Sequence, residues 1–483
     1  MAYFPPEIED AVVAMTNLEA SRRRTAIDGW KPMGRAEFRA YVGLLILAGV
    51  YRSRGEACES LWDAESGRSV FRATMPLKTF RVYSNVLRFD DRETREAREA
   101  RRRNDRGQYD KLAPVRAVWD EWCRRLPLMY RPGPEVTVDE RLVPFRGRCP
   151  FRQYMPSKPA RYGIKIWVAC DARSSYAWKM QMYAGKPDKL DKLGPTEKNL
   201  AARVVMDLTE GLAPGRNVTC DNFFMSQQAR DLQRAALRQE QGCRLRRGRG
   251  APDGWSPNAV VLSYVAKKNK NVLLLTTSPR YVGPSGSLLE PSSNPGGGGG
   301  PAKPSMVLHY NHTKGGVDNL DKVVGTYSCR RKTSRWPMAL FHNMVDVAAY
   351  NAFVLWREIH PDWMSGKLNK RRLFLEHLGK ALVLPMLEAR RRRGTRGRRQ
   401  EGEAFSALDS RCDEPRETPV KRQRCRVCPR SKDVKTKIVC FACRVHVCSR
   451  CALTYCPNCA AARPPVSRRD PSDDKHRGPP VSA

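Results

Sequence analysis

The sequence predicts a mixed α/β protein with a small metal-bound module near its C-terminal end. Three observations carry that expectation. From about residue 135, short β-branched and apolar runs give way to alternating strand and helix patterns, the signature of a sheet with helices layered on it. The residues before 135 pattern mainly as helix. Eight of the sixteen cysteines fall between Cys425 and Cys459. At roughly 100–200 residues per domain, 483 residues allow two to four domains.

In the helical region, Ala36–Tyr51 sets Phe38, Val42, Leu45 and Ile46 close to one stripe. Glu93–Arg106, dense in arginine and glutamate, reads as a solvated charge run or a DNA contact. Glu135–Asp139 carries β-branched residues, Gly163–Cys170 is a compact apolar run, Asp171–Ser175 has turn chemistry and Tyr176–Tyr183 alternates: strand, strand, turn, strand. Glu197–Gly211 follows as a helix with Val204, Val205 and Leu208 on one side, then Asn217–Cys220 as a strand and Met225–Leu237 as a helix. Residues 241–257 have no period, and Ala259–Val265 and Asn271–Thr277 read as two strands. Pro284–Pro304, with five glycines at 296–300, reads as a flexible loop within an insertion.

Pro337 opens a long helix at 338–360, where a missing N–H costs nothing. This is the chain's nearest approach to a membrane span, but His342, Asp346, Arg357 and Glu358 make it a buried helix, and no membrane partner is expected. Met1–Pro6 lacks the basic and apolar stretches of a secretory signal. Leu387–Gly402, with Arg390–Arg393, Arg396, Arg398 and Arg399, reads as a disordered basic linker that touches phosphates or directs nuclear import. Residues 464–483 form a polar, proline-rich tail.

Lys and Arg number 88 against 50 Asp and Glu, a formal charge of +38, so a polyanionic partner is the expectation and nucleic acid the commonest one. The clustered cysteines form four Cys-x-x-Cys pairs: Cys425/Cys428, Cys440/Cys443, Cys448/Cys451 and Cys456/Cys459. Each pair presents two thiolates to a tetrahedral ion, so eight ligands imply two zinc ions. The short spacing implies a cross-brace in which the first pair shares an ion with the third and the second with the fourth. His446 lies inside the cluster as a spare or supporting group. So small a fold has little core and depends on its metal.

Three aspartates follow or adjoin strand-like or glycine-rich segments: Asp139, Asp221 and Asp318. Such a residue is a turn former or helix cap, or it is held by a partner or a metal. Three converging carboxylates suit two Mg²⁺ ions in an in-line phosphoryl transfer; spacing alone leaves these readings open.

The residues around the aspartates decide between them. TVDERLVPFRG at Thr137–Gly147 with its continuation to Trp167, TCDNFF at Thr219–Phe224, and the stretch from Tyr310 to Val345 (KGGVDNLDKVVGTYSCRRKTSRWP within it) resemble the motifs of piggyBac transposases. Leu47–Trp62, Phe71–Leu77, Leu262–Thr277 and the cysteine pairs match the family's remaining regions in order, with Cys451 standing where the family often has histidine. The resemblance implies an RNase H-like core at 135–330, with an insertion at about 240–305. It implies a helical dimerisation and DNA-binding region split between 1–134 and 331–385, a linker at 386–420, a zinc domain at 421–462 and a tail at 463–483. It assigns Asp139, Asp221 and Asp318 to catalytic Mg²⁺, with Asp321 as an auxiliary acid. It places Arg146, Arg148, Arg152, Lys158, Arg161, Lys165, Arg330, Arg331, Lys332, Arg335 and Trp336 along double-stranded DNA. The implied chemistry is nicking, hairpin formation, hairpin opening and joining at TTAA, by a homodimer in the nucleus.

The sequence departs from the family's pattern at Arg234–Pro257, where no apolar strand is recognisable. Two readings therefore stand: a cut-and-paste transposase, or a host-adopted or decayed DNA-binding or chromatin protein that keeps the fold. A ubiquitin-ligase-like zinc module fits poorly, because it needs no aspartate triad.

Overall fold

The structure, a computed structural model, describes residues 2–23, 30–97, 110–185, 199–224, 244–247, 260–267, 270–278, 281, 303–394, 423–432, 434–436, 438, 445–449 and 451. The chain forms two units, Met1–Leu408 and Asp409–Ala483.

The first unit begins with helices α1 (Pro6–Arg22), α2 (Arg35–Val50), α3 (Cys58–Trp62), α4 (Ser69–Thr74), α5 (Leu77–Val86) and α6 (Arg116–Met129). The expected stripe on α2 is present, yet Leu44, Leu47 and Ala48 are buried too, so this helix is wrapped rather than one-sided. A helix from the far end of the unit, Lys370–Gly394, lies across it. The crossing is close because both helices offer glycine there: a Cβ on Gly43 would stand 2.9 Å from the carbonyl oxygen of Gly379. This distal helix corrects the linker expectation. Residues 386–394 are helical, and buried Leu382, Val383 and Leu387 hold the helix on the core as it runs into the arginines.

The sheet is built from β1 (Glu135–Pro144), β2 (Gln153–Tyr154), β3 (Tyr162–Asp171), β4 (Ala177–Met182) and β5 (Asn217–Cys220). β3 lies between β1 and β4, antiparallel to both, and β2 also pairs with it. The chain then passes through α7 (Leu200–Thr209) and returns as β5, parallel to β1. Three antiparallel strands followed by a parallel one is the RNase H-like arrangement that the family resemblance implies. β1 extends well past Asp139, so this aspartate sits mid-strand rather than at a strand end.

After β5 the described insertion contributes β6 (Arg244–Arg247), β7 (Val260–Lys267) and β8 (Lys270–Thr276), an antiparallel sheet in that order. β6 is a correction: a strand does occupy part of Arg234–Pro257, paired with Val260–Ser263, although its sequence Arg-Leu-Arg-Arg gives no apolar signal. The helix expected at Met225–Leu237 and the glycine loop lie outside the described residues. Leu262, Leu274, Tyr281, Met306 and Val307 give the insertion a small core of its own.

The chain re-enters the main core through α8 (Ser305–Thr313) and α9 (Gly316–Thr326). Three buried threonines fasten this return. Thr137 Oγ1 donates to the Thr313 carbonyl at 2.6 Å, and the hydroxyls of Thr219 and Thr313 are 2.8 Å apart. α10 (Trp336–Ile359) follows, with its proline in the first turn as expected, and 83% of its apolar window is buried. The Lys370–Gly394 helix is α11. In the second unit, β9 (Gln423–Arg424) pairs antiparallel with β10 (Lys435–Thr436).

Asn351 on α10 locks that helix to the sheet. Its side-chain Nδ2 donates to the Ala177 carbonyl at 2.9 Å, and its Oδ1 accepts from the Ala177 N–H at 3.0 Å. Asn351→Ala leaves both backbone groups unpaired in the interior, and denaturant unfolding is expected to show a loss of about 3 kcal/mol.

Candidate active site and metal centres

The parallel pairing of β1 and β5 determines the site. Val138 is the register partner of Cys220, so the next residue on each strand, Asp139 and Asp221, occupies the adjoining position. Neighbouring strands stand ~4.8 Å apart, so the two carboxyl groups meet. Asp139, Glu140 and Asp221 each bring an oxygen within 4.8 Å of the others. Sequence reasoning passed over Glu140, because strand alternation assigns adjacent residues to opposite faces.

Asp139 has an unusual proton affinity. Burial pushes its carboxyl up to about 7; the charges of Glu140 and Asp221 add to this, while the Glu140 N–H and Lys158 oppose it. Three acids packed this closely call for a cation. Lys165 Nζ stands 3.8 Å from Glu140 and 4.4 Å from the Phe223 ring centroid. Burial lowers the Lys165 ammonium against the pull of Glu140, Asp221 and Asp139. For Lys158, burial acts the same way, but Asp139, Asp318, Glu140 and Asp321 together outweigh it and raise the group.

Asp318 lies apart from the three-acid cluster. It occupies the first turn of α9, its side chain is 70% exposed, and Lys158 Nζ holds it at 3.3 Å. α9 itself is set tightly against β1, since a Cβ on Gly316 would fall 2.5 Å from Thr137 Oγ1. Lys158 thus links Asp318 to the edge of the cluster. Asp321, one turn further, is engaged differently: Arg141 Nε donates to it at 2.7 Å. Arg141 is on β1 two residues beyond Asp139 and only 3% exposed, so the pair clamps the third-aspartate helix to the first-aspartate strand.

The residues expected along DNA divide into two groups. Arg146, Arg148, Arg161 and Lys332 are exposed and form no ion pair among the described residues. Lys158 and Lys165 face the acids. Arg152 is exposed, but its Nη1 donates to the carbonyls of Arg146 and Gly147. Arg330 is half-buried, with Nη1 3.4 Å from the Pro144 carbonyl. Arg331, Arg335 and Trp336 are placed differently from the expectation. Arg331 donates to the carbonyls of Ser53 and Glu56, and Arg335 to those of Asn85 and Leu87. Burial, with the charge of Arg88, draws the Arg335 guanidinium down to about 10. Trp336 is 8% exposed, with its ring edge-on to Phe151 at 5.0 Å. These three side chains fasten the segment before α10 to the N-terminal helices and the core.

In the second unit, Cys425, Cys428, Cys448 and Cys451 bring their sulfurs within 4.8 Å of one another. The Sγ of Cys428 is 3.5 Å from that of Cys448 and 3.6 Å from that of Cys451. Sulfurs ~2.3 Å from one tetrahedral ion stand ~3.8 Å apart, so the set fits zinc. The Cys448 N–H donates to Cys425 Sγ at 3.2 Å, a bond that favours thiolate. First pair and third pair share this site, as the cross-brace requires. Cys440, Cys443, Cys456 and Cys459 lie outside the described residues. His446 is not among the four ligands, and its Nε2 has no partner among the described residues.

Comparison with known proteins accords with this geometry. A family model described as Transposase IS4 matches residues 1–241 and 245–353. Human piggyBac transposable element-derived protein 3 is 22% identical over 372 residues, covering 69% of this chain and 56% of the relative. The human chimeric ERCC6-PGBD3 protein is 22% identical over 372 residues, covering 69% of this chain and 32% of the relative. The chain thus spans about half the length of the first and a third of the second. A cryo-EM structure of a piggyBac transposase synaptic complex with hairpin DNA superposes with a TM-score of 0.68 at 27% identity, covering 95% of each chain. Given a family match that extends from the first helix through most of α10, the chain belongs to the Transposase IS4 family and is a piggyBac-type member of it.

Proposed function

We propose that this protein is a metal-dependent DNA transposase that cleaves the ends of a mobile element and joins them at TTAA sites, acting as a homodimer in the nucleus. The observation that carries the reading is the meeting of Asp139 and Asp221 on in-register parallel strands, with Asp318 reached through Lys158. The solved relative was captured with hairpin DNA, which supports double-stranded DNA and a hairpin route as substrate and path. The formal charge of +38 supports a polyanionic partner, and the arginines from Arg390 onward support nuclear import.

In this reading, Asp139, Asp221 and Asp318 hold two Mg²⁺ ions, which when bound activate the attacking hydroxyl and stabilise the leaving oxygen. The chain's own residues prepare the ground. Strand pairing fixes the first two carboxylates, the Arg141–Asp321 clamp fixes the helix that carries the third, and Lys158 and Lys165 supply positive charge to an incoming phosphate. Exposed Arg146, Arg148, Arg161 and Lys332 track the backbone on either side. Two zinc ions fold the C-terminal module, one on Cys425, Cys428, Cys448 and Cys451 and one on Cys440, Cys443, Cys456 and Cys459. A transposase-derived DNA-binding protein without complete catalysis is the second reading, favoured by the Arg/Gly/Pro-rich stretch around β6 and by the curated relative's description as element-derived.

Strand cleavage of the element's own flanking end with Mg²⁺ separates the two. The transposase reading expects nicking that Asp139→Ala lowers about a thousandfold, the several kcal/mol a metal contributes; equal inertness of both proteins favours the second. A zinc chelator is expected to open residues 409–483 to proteolysis while the first unit keeps its melting temperature. Titration of Asp139 has its own signature. Its folded pKa of about 7 exceeds the ordinary ~3.9, so the metal-free fold loses stability as pH rises from about 4 to 7. Asp139→Asn is expected to melt above the wild type at pH 8 without divalent ions and level with it at about pH 4. Mg²⁺ at pH 8 raises the wild-type melting temperature and leaves the variant's unchanged.

A further inference from the structure

Two cavities lie beside the carboxylates. The first, of about 370 Å³, shares Lys158, Asp318 and Asp321 with the site and is lined as well by Arg54, Arg141, Lys322 and Arg330. The second, of about 330 Å³, continues from it across the common walls Pro144, Ala160, Arg330 and Ala339 toward Arg146, Arg331 and Lys332. Three features mark the pair as built for an anionic, ring-bearing occupant. Arg141 is nearly fully buried, yet its Nη1 has no partner. Arg54 and Arg330 are near enough to repel each other, and after burial the charge of Arg54 is the main influence that lowers Arg330. At the outer end, Tyr162 lines the second cavity and forms a cross-strand pair with Tyr154, their ring centroids 4.8 Å apart. Both rings are exposed, 41% and 56%, and the Arg152 guanidinium lies 5.5 Å from the Tyr162 centroid.

A cavity of this volume takes a drug-sized molecule, the size class of one nucleotide, and excludes a duplex. A basic groove that ends on exposed aromatic faces is the arrangement that binds unpaired nucleic acid, with charge on the backbone and rings against the bases. We infer that these cavities form a channel for a single, unpaired DNA strand, running from the carboxylates past Arg54 and Arg330 to a stacking platform at Tyr154 and Tyr162. The inference rests on the DNA-cleaving reading and adds to it that DNA beside the scissile phosphate is held melted. Arg54, Lys322 and the tyrosine pair then belong to the substrate-binding surface, a role the sequence did not assign them.

The test uses the full chain and two probes, a short oligothymidylate and a mixed-sequence duplex of equal length, titrated over a range of salt. Tyr162→Ile is expected to weaken oligothymidylate binding about tenfold while duplex affinity and the unfolding midpoint hold, and Tyr162→Phe to bind as wild type. Arg54→Ala is expected to lower the logarithmic salt slope for oligothymidylate by ~0.7, the share of one phosphate. Equal weakening of both probes by these variants, or no weakening of either, overturns the channel. A wild-type chain that binds the duplex but not oligothymidylate removes the channel and leaves the DNA reading standing; one that binds neither removes both.

Discussion

Backbone hydrogen bonds between β1 and β5 force two like charges together in a place that burial has partly dried. Strand pairing is set by main-chain geometry and is indifferent to the side chains it aligns, so Asp139 and Asp221 adjoin whether or not their charges are balanced. The elevated proton affinity of Asp139 records that imbalance. The surrounding architecture manages it in two ways. Lys158 and Lys165 bring positive charge from the loop after β2 and from β3, and Arg141 holds back the fourth acid, Asp321, in a salt bridge of its own.

The same economy governs the helices. Arg331 and Arg335 lie in a run that by composition looks made for phosphate, yet each spreads its guanidinium over two main-chain carbonyls. A planar donor fork satisfies two acceptors at once, and in a buried setting that is worth more than a solvated contact. Positive charge in the sequence therefore has two fates here, one at the surface and one as a fastener between segments far apart along the chain.

The legibility of the structure follows this division. Strands with β-branched or apolar runs, helices with one apolar side and the Cys-x-x-Cys pairs were readable because local pattern and tertiary role agree. β6 was not, because four residues dominated by arginine carry no apolar alternation and owe their strand form to the neighbour β7. The extension of α11 through Arg390–Arg392 was hidden in the same way: composition suggested a linker, while burial of Leu382, Val383 and Leu387 decides for helix. At the site, the aspartates were legible through their motifs. Glu140, Arg141, Arg54 and Lys322 were not, because only the folded chain brings them to one place.

The threonine fastening has a consequence for how this chain has been free to change. Thr219, at the point where the main core is left, and Thr313, where it is regained, touch across 94 positions of sequence. Because both ends of that excursion are tied to each other and to Thr137, its length is decoupled from the geometry of the acids. Lengthening a closed loop adds entropy cost only logarithmically, ~0.6 kcal/mol for each doubling. A tract of five glycines can thus accumulate between those anchors as neutral drift, invisible to the chemistry a few residues away.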